Sequence, residues 1–151
     1  MIRIGEGINV AFEKKEFNPK LPYKMSINGF STPQTIQIIG QCHKGSKGFH
    51  VNFNDNNDTI FHFNPRFKEK CVVRNSTNGG VWQNEEREES EFPFHHDKIF
   101  TLDFIAHQNH VECKYDGKYF LKFAYRKNHR NMTLLEIDGD VEIHHISIQR
   151  G

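Results

Sequence analysis

Short runs in which apolar and polar residues alternate recur along this chain, with turn residues between them. Successive side chains of a strand point to opposite faces, so such alternation marks a half-buried strand. Phe49-His50-Val51-Asn52-Phe53 places its two Phe and its Val on one face and His50 and Asn52 on the other. The polar cluster Asn54 to Asp58 then turns the chain into Thr59-Ile60-Phe61-His62-Phe63-Asn64. Further strands are expected at Ile36 to Ile39, closed by Gly40, at Cys71 to Arg74, at Ile99 to Ile105 and at His110 to Tyr115. Asp116-Gly117 is a type I′ hairpin signal leading into Lys118 to Phe123. The closing strand, Asp140 to Ile148, is entered through an Asp138-Gly139 turn. Helical periodicity is nowhere sustained, so the expected fold is all-β, an antiparallel sandwich or barrel. Residues 1–16 carry the least pattern and are expected to be an extension or an edge strand.

The same parity has a chemical consequence in Phe61-His62-Phe63-Asn64-Pro65-Arg66-Phe67. It buries the three Phe and presents His62, Asn64 and Arg66 together. Pro65 falls on the apolar side and donates no backbone hydrogen bond, which places it at a strand end, an edge or a bulge. If this strand pairs with the one before it, His50 and Asn52 share its polar surface and make a groove floor. Downstream, Asn75 ends a strand, and Asn78-Gly79-Gly80 turns sharply into Val81-Trp82. The residues after this Trp, the chain's only one, are polar, which argues for a partly exposed ring rather than a core anchor. Glu85 and Arg87 lie two apart and share a face, whereas Glu86, Glu88, Glu89 and Glu91 are expected to form a charged rim. Between His62 and Phe94, fixed planar donors and acceptors gather beside one flat aromatic face, an arrangement suited to a polyhydroxylated ligand.

Composition narrows the classes. At 151 residues the chain is one domain's length, and 14 Phe supply a heavy aromatic core suited to pleated surfaces. Lys plus Arg number 20 against 19 Asp plus Glu, so no net field favours nucleic acid or anionic lipid. No apolar run approaches the roughly 18 residues that span a bilayer, and Met1 to Phe17 lacks a signal-peptide hydrophobic region. The three Cys form no CxxC pair, so reduced thiols in the cytoplasm are expected. Asn57, Asn75 and Asn131 open sequons that would then stay bare. The ten His show no metal-ligand spacing: His95-His96 and His144-His145 diverge on a strand, and His107 and His110 lack a third ligand. Neither a metal nor a cofactor is expected.

His62-Phe63-Asn64-Pro65-Arg66-Phe67, Val73-Arg74-Asn75 and Trp82-Gln83-Asn84-Glu85-Glu86-Arg87 resemble, with matching spacing, the signature of the galectin family. Glu91-Phe92-Pro93-Phe94, the Tyr115 to Phe120 hairpin and Gly139-Asp140-Val141 extend the likeness over residues 17–151, read as one carbohydrate-recognition domain. The resemblance implies a jelly-roll sandwich of two antiparallel sheets that binds β-galactosides without calcium. By position, His62, Asn64 and Arg66 would bond the axial 4-hydroxyl of galactose, and Asn75 and Glu85 the 6-hydroxyl. Glu85, Arg87 and Arg66 would reach the next sugar, with Trp82 under the ring's apolar face. His50 and Asn52 are expected to extend the groove. A sugar contact by Asn75 needs that sequon unglycosylated, and the family's cytosolic synthesis with unconventional export fits this. A glycosidase is the enzymatic rival, but it needs two carboxylates flanking the bond, one of raised pKa, and only Glu85 is placed at the sugar. A galectin-like interaction module without sugar binding is the third reading, against which the intact motif argues. The initial Met and the closing strand set the expectation of a complete chain. The preferred extended glycan, and homodimer formation through edge strands, stay open.

Overall fold

The computed structural model describes residues 12–129 and 131–150. Thirteen strands follow in order: β1 (Phe12–Phe17), β2 (Tyr23–Ser26), β3 (Thr35–Gln41), β4 (Phe49–Asn54), β5 (Thr59–Arg66), β6 (Cys71–Asn75), β7 (Thr77–Asn78), β8 (Val81–Trp82), β9 (Ile99–Ala106), β10 (His110–Tyr115), β11 (Lys118–Ala124), β12 (Leu134–Gly139) and β13 (Glu142–Gln149). One sheet orders six of them β1-β13-β3-β9-β10-β11, and the other orders five β2-β12-β4-β5-β6. All pairings are antiparallel, and β7 and β8 form a separate small hairpin. The chain is an all-β jelly-roll sandwich. Of residues 1–16, the part from Phe12 onward lies in edge strand β1; residues 1–11 lie outside the described residues.

Alternation drives this architecture. In β4 and β9 buried and partly exposed residues strictly alternate, so each strand turns one face to the other sheet. Between the sheets lies an aromatic core, with Phe61 stacked on Phe123 at 4.8 Å and edge-to-face pairs such as Phe63 with Phe104 at 5.1 Å. Asp116 and Gly117 both have positive φ, 50° and 84°, as the expected type I′ turn requires. Two strands carry too little pattern to be legible: edge strand β2 buries one residue in four, and β12 opens on two adjacent Leu that break the alternation. Gly139 ends β12 in the five-stranded sheet, so Asp138-Gly139 leads from one sheet to the other and is no hairpin turn.

On its outer face the five-stranded sheet carries a polar row that crosses all five strands. Register pairs Lys24 with Glu136, Glu136 with Asn52, Asn52 with His62, and His62 with Asn75, one residue from each strand. The row runs across strands, and β5 adds Asn64 and Arg66 along its length.

The segment after β8 has no ladder of its own, and a buried charge fixes it. Arg74 pairs with Phe63 on the core side of β6 and is 4% exposed. Its guanidinium bonds Glu89 Oε1 at 2.7 Å, the Glu88 carbonyl at 2.6 Å and the Val72 carbonyl at 2.7 Å, while Nε has no partner. Backbone bonds of 2.8 Å in both directions join Arg74 to Glu86. Glu89 and Glu86, expected in the rim, are thus parts of an anchor. The Glu89 side chain is 4% exposed, and Glu86 binds Arg126 at 2.9 Å. Removing one partner of a buried pair strands the other charge. Glu89→Ala should therefore lower the unfolding free energy by about 3–5 kcal/mol in urea melts. A loss below about 1 kcal/mol would show that the pair holds nothing.

Candidate carbohydrate-binding site

Above the polar row a cleft of about 460 Å³ is lined by His62, Arg66, Val73, Asn75, Trp82, Gln83 and Glu85. Three different kinds of local structure supply it. Strand β5 contributes His62, Asn64 and Arg66 by strict alternation, and its paired strand β6 ends in Asn75. The β7–β8 hairpin contributes Trp82. Gly79 and Gly80 form its tip with φ of 62° and 80°, a backbone that other residues adopt only with strain. Asp58 fastens that tip by accepting from the Gly79 and Gly80 amides, from Thr77 Oγ1 at 2.8 Å and from Lys127 Nζ at 2.7 Å. These donors, led by Lys127, hold the Asp58 carboxyl well below the usual carboxylate range. The anchored segment after β8 contributes Glu85 and Arg87.

Trp82 is 52% exposed, far from a core anchor, and its ring lies 4.8 Å from the His62 ring between centroids. An open aromatic wall therefore stands beside the polar row, ready to stack on C–H groups.

Each polar residue around the cleft already has protein partners that leave a defined atom free. His62 Nδ1 lies 2.6 Å from Asn52 Oδ1. A carbonyl oxygen only accepts, so Nδ1 carries the hydrogen and Nε2 is a bare acceptor. Burial first, then the electrostatic influence of the neighbouring His50 and Arg66, pushes the imidazole pKa down to about 4, so the ring is neutral at pH 7. Asn64 sits beneath Arg66: its amide nitrogen donates to the Phe49 carbonyl at 2.7 Å, and its Oδ1 accepts from Arg66 Nε at 2.8 Å. Asn75 donates to the Gln83 carbonyl at 2.9 Å and keeps a second amide hydrogen.

At one end of the cleft, two guanidinium groups and two carboxylates interlock. Arg87 bonds Glu85 at 2.8 Å and Glu69 at 2.7 Å, while Arg66 lies 3.4 Å from Glu69 and 3.9 Å from Glu85. Hydrogen bonding from Arg87 lowers the Glu69 pKa, the reverse of what a general acid needs. The structure thus brings His62, Arg66, Asn75, Trp82 and Glu85 to the cleft wall, with Asn64 bonded to Arg66 and Arg87 to Glu85 beside it. His50 stands next along the groove, its ring 5.7 Å from that of His62. Asn52 orients His62 from the groove floor.

Sequence reasoning did not select Glu69 and Arg126, which bond site residues directly, or Arg74 and Asp58, which hold the segments that carry them. Arg74 did leave a signal: alternation puts it on the face of Val72, and a charge there must find a partner. Among the described residues no three His, Cys, Asp or Glu gather as metal ligands.

Comparison with known proteins agrees with this geometry. The model of the family described as galactoside-binding lectin matches residues 22–148. A 32 kDa beta-galactoside-binding lectin of Caenorhabditis elegans is 37% identical over 131 residues, 85% of this chain and 47% of that protein. Human galectin-4 is 35% identical over 141 residues, 89% of this chain and 43% of that protein. The chain thus spans about half the length of these curated relatives. Among solved structures, the Caenorhabditis elegans galectin LEC-6 superposes with a TM-score of 0.85 at 33% identity, covering 91% of this chain and 97% of that one. The chain belongs to the galactoside-binding lectin family, the galectins.

Proposed function

We propose that this chain binds β-galactosides of the lactose and N-acetyllactosamine type, without catalysis and without a cofactor. The observation that carries the reading is the pairing of one bare acceptor, His62 Nε2, with one guanidinium donor, Arg66, beside the open Trp82 ring. A hydroxyl donates once and accepts from others, so an axial 4-hydroxyl can give its hydrogen to Nε2 and take one from Arg66. That orientation leaves the ring's C–H face to Trp82. An equatorial hydroxyl would strand both groups, which makes selectivity against glucose steep. Asn75, with its remaining amide hydrogen, and Glu85 are proposed to hold the 6-hydroxyl. Arg66, Glu85 and Arg87 are proposed to hold the next sugar, and His50 with Asn52 to meet substituents beyond galactose.

Catalysis has little support in the geometry, because the carboxylates at the cleft, Glu85 and Glu69, both face guanidinium groups. The same pairing argues against a bound divalent cation, since Glu85 Oε1 is engaged by Arg87. Affinity is bounded by size. About 23 heavy atoms at about −0.3 kcal/mol each bring a disaccharide near −7 kcal/mol, or about 10 μM.

Calorimetric titration tests the reading: lactose should bind in the presence of EDTA, and cellobiose should not. Trp82→Ala should cost about 1 kcal/mol or more, and Arg66→Ala more, because it strands the Asn64 Oδ1 acceptor and the 4-hydroxyl. Wild-type affinity for lactose in Arg66→Ala would overturn the assignment. Loss of lactose binding in the wild type would favour the interaction-module reading. An unchanged glycan-array profile in His50→Ala would remove His50 from the groove.

The acceptor role of His62 also fixes a pH dependence. The folded pKa, about 4, lies below the ordinary value of 6.5. Between these values the unfolded chain takes up a proton that the fold refuses, so stability falls as pH drops from 6.5 toward 4. Binding needs the neutral ring and should hold from pH 7 to about 5, then fail as pH passes about 4. An NMR titration placing the His62 midpoint near 6.5 would contradict this.

Asn75 is 3% exposed, and with one amide hydrogen bonded to Gln83 the other is proposed to meet the sugar, so a glycan on this nitrogen would take the ligand's place. That supports synthesis in the cytoplasm with unconventional export, and two copies joined by edge strands would crosslink glycoconjugates. Mass measurement of the protein from its own cells should show a bare Asn75 and a native mass of twice the chain. A glycosylated Asn75 would refute the first statement, and a monomer the second.

A further inference from the structure

Asn75 sits where the orientation of an amide decides what the cleft offers. Its Oδ1 accepts from the Ser76 amide at 2.8 Å and from Arg126 Nη1 at 2.9 Å, while Nδ2 donates to the Gln83 carbonyl at 2.9 Å. Turning the amide over would aim N–H groups at two donors and an oxygen at a carbonyl, so every one of these contacts would become repulsive. Of these partners, Ser76 and Gln83 use backbone groups, and only Arg126 reaches Asn75 by a side chain.

Arg126 comes from the opposite sheet. It follows β11 and crosses to the end of β6, with its guanidinium 5.0 Å above the Phe123 ring. Nη2 donates to the Asn84 carbonyl at 2.7 Å and to Glu86 Oε2 at 2.9 Å, and Nη1 also reaches Ser76 Oγ at 3.3 Å. A second cleft of about 430 Å³ opens over this cation on the far side of the Gln83–Glu86 segment. Arg126 therefore grips that segment from behind while fixing the amide in front of it. The fork geometry matters: a planar guanidinium bridges Asn75 and Glu86 at once, which a single ammonium cannot do. Lys127, the next residue, supports the Trp82 hairpin through Asp58.

We infer that Arg126 is a positioning residue for recognition of the sugar's primary hydroxyl, holding the Asn75 amide so that its second N–H points into the cleft. The inference rests on the galactoside reading above. It makes the contribution of Arg126 conditional on one ligand atom: where the 6-hydroxyl is absent, the amide has nothing to donate to.

The test is calorimetry with two ligands, lactose and its analogue deoxygenated at C6 of galactose, on wild type and Arg126→Met. In the wild type the deoxy analogue should bind about tenfold more weakly than lactose. In Arg126→Met lactose should lose about tenfold while the analogue loses less than about twofold, so the two converge. Equal losses on both ligands would mean that Arg126 only holds the fold, and would overturn the inference. So would a wild-type ratio preserved in the variant, or a wild type that binds both ligands alike. Should Arg126→Met not fold, Arg126→Lys is measured on the same pair with the same outcomes. A wild type that prefers cellobiose or ignores lactose would instead sink the galactoside reading itself.

Discussion

Arg74 puts a guanidinium on the core side of an edge strand, and much of the site depends on how that charge is answered. A cation withdrawn from water costs several kcal/mol unless ion pairing and hydrogen bonds replace its hydration. The replacement is drawn from a segment with no strand pairing of its own: the Glu89 carboxylate, the Glu88 carbonyl and the two backbone bonds to Glu86. Meeting the demand of Arg74 wraps residues 85–89 against β6. That path leaves Glu85 and Arg87 facing the cleft, since Glu86 turns the other way to Arg126. The site's carboxylate–guanidinium pair is therefore positioned by a second pair that no ligand touches.

The same principle recurs around the cleft. His62 is oriented by Asn52, Arg66 by Asn64, Trp82 by the hairpin that Asp58 closes, and Asn75 by Arg126. Each residue proposed to meet the ligand is fixed by protein contacts, and what it offers is the remainder: a lone pair, a hydrogen, a ring face. Such groups lose little freedom on binding, which offsets part of the entropy of capturing a flexible sugar. They also cannot swing to satisfy a hydroxyl of the wrong configuration, so rigidity here is the source of discrimination.

Much of this was legible in the sequence because it rests on alternation. His62, Asn64 and Arg66 lie on one strand, and period two alone places them on a shared face opposite Phe61 and Phe63, whereas Phe67, expected to be buried with them, falls past the strand's end and is only partly buried. The Gly79-Gly80 turn and the polar residues after Trp82 likewise declared an exposed ring. Legibility stops where irregular chain decides contacts. Among the glutamates after Trp82, alternation cannot say that Glu89 turns inward to Arg74 while Glu88 offers only its carbonyl. Glu69 stands in the turn between β5 and β6, beside Lys70 with φ of 51°, and its reach to Arg87 follows from that turn's shape. The role of Asn52 follows from the register of β4 on β5, since a slip of one residue would turn it away from His62. Arg126 is further still, because its contact with Asn75 requires the whole packing of one sheet on the other.

The division of labour would let the modest affinity proposed above coexist with an exacting site. The residues proposed to bind would contribute a few directional contacts on an open surface, where water competes for each of them. The supporting contacts are more enclosed: Arg74 with Glu89, Asp58 beneath the glycine turn, Asn75 against Arg126. Folding, rather than the sugar, supplies the free energy that holds the geometry. A change in the supporting layer is then felt twice, first as lost stability and again as lost alignment, whereas a change at Trp82 is felt by the ligand alone. Replacing a surface contact tests recognition, and replacing a support tests how recognition was built.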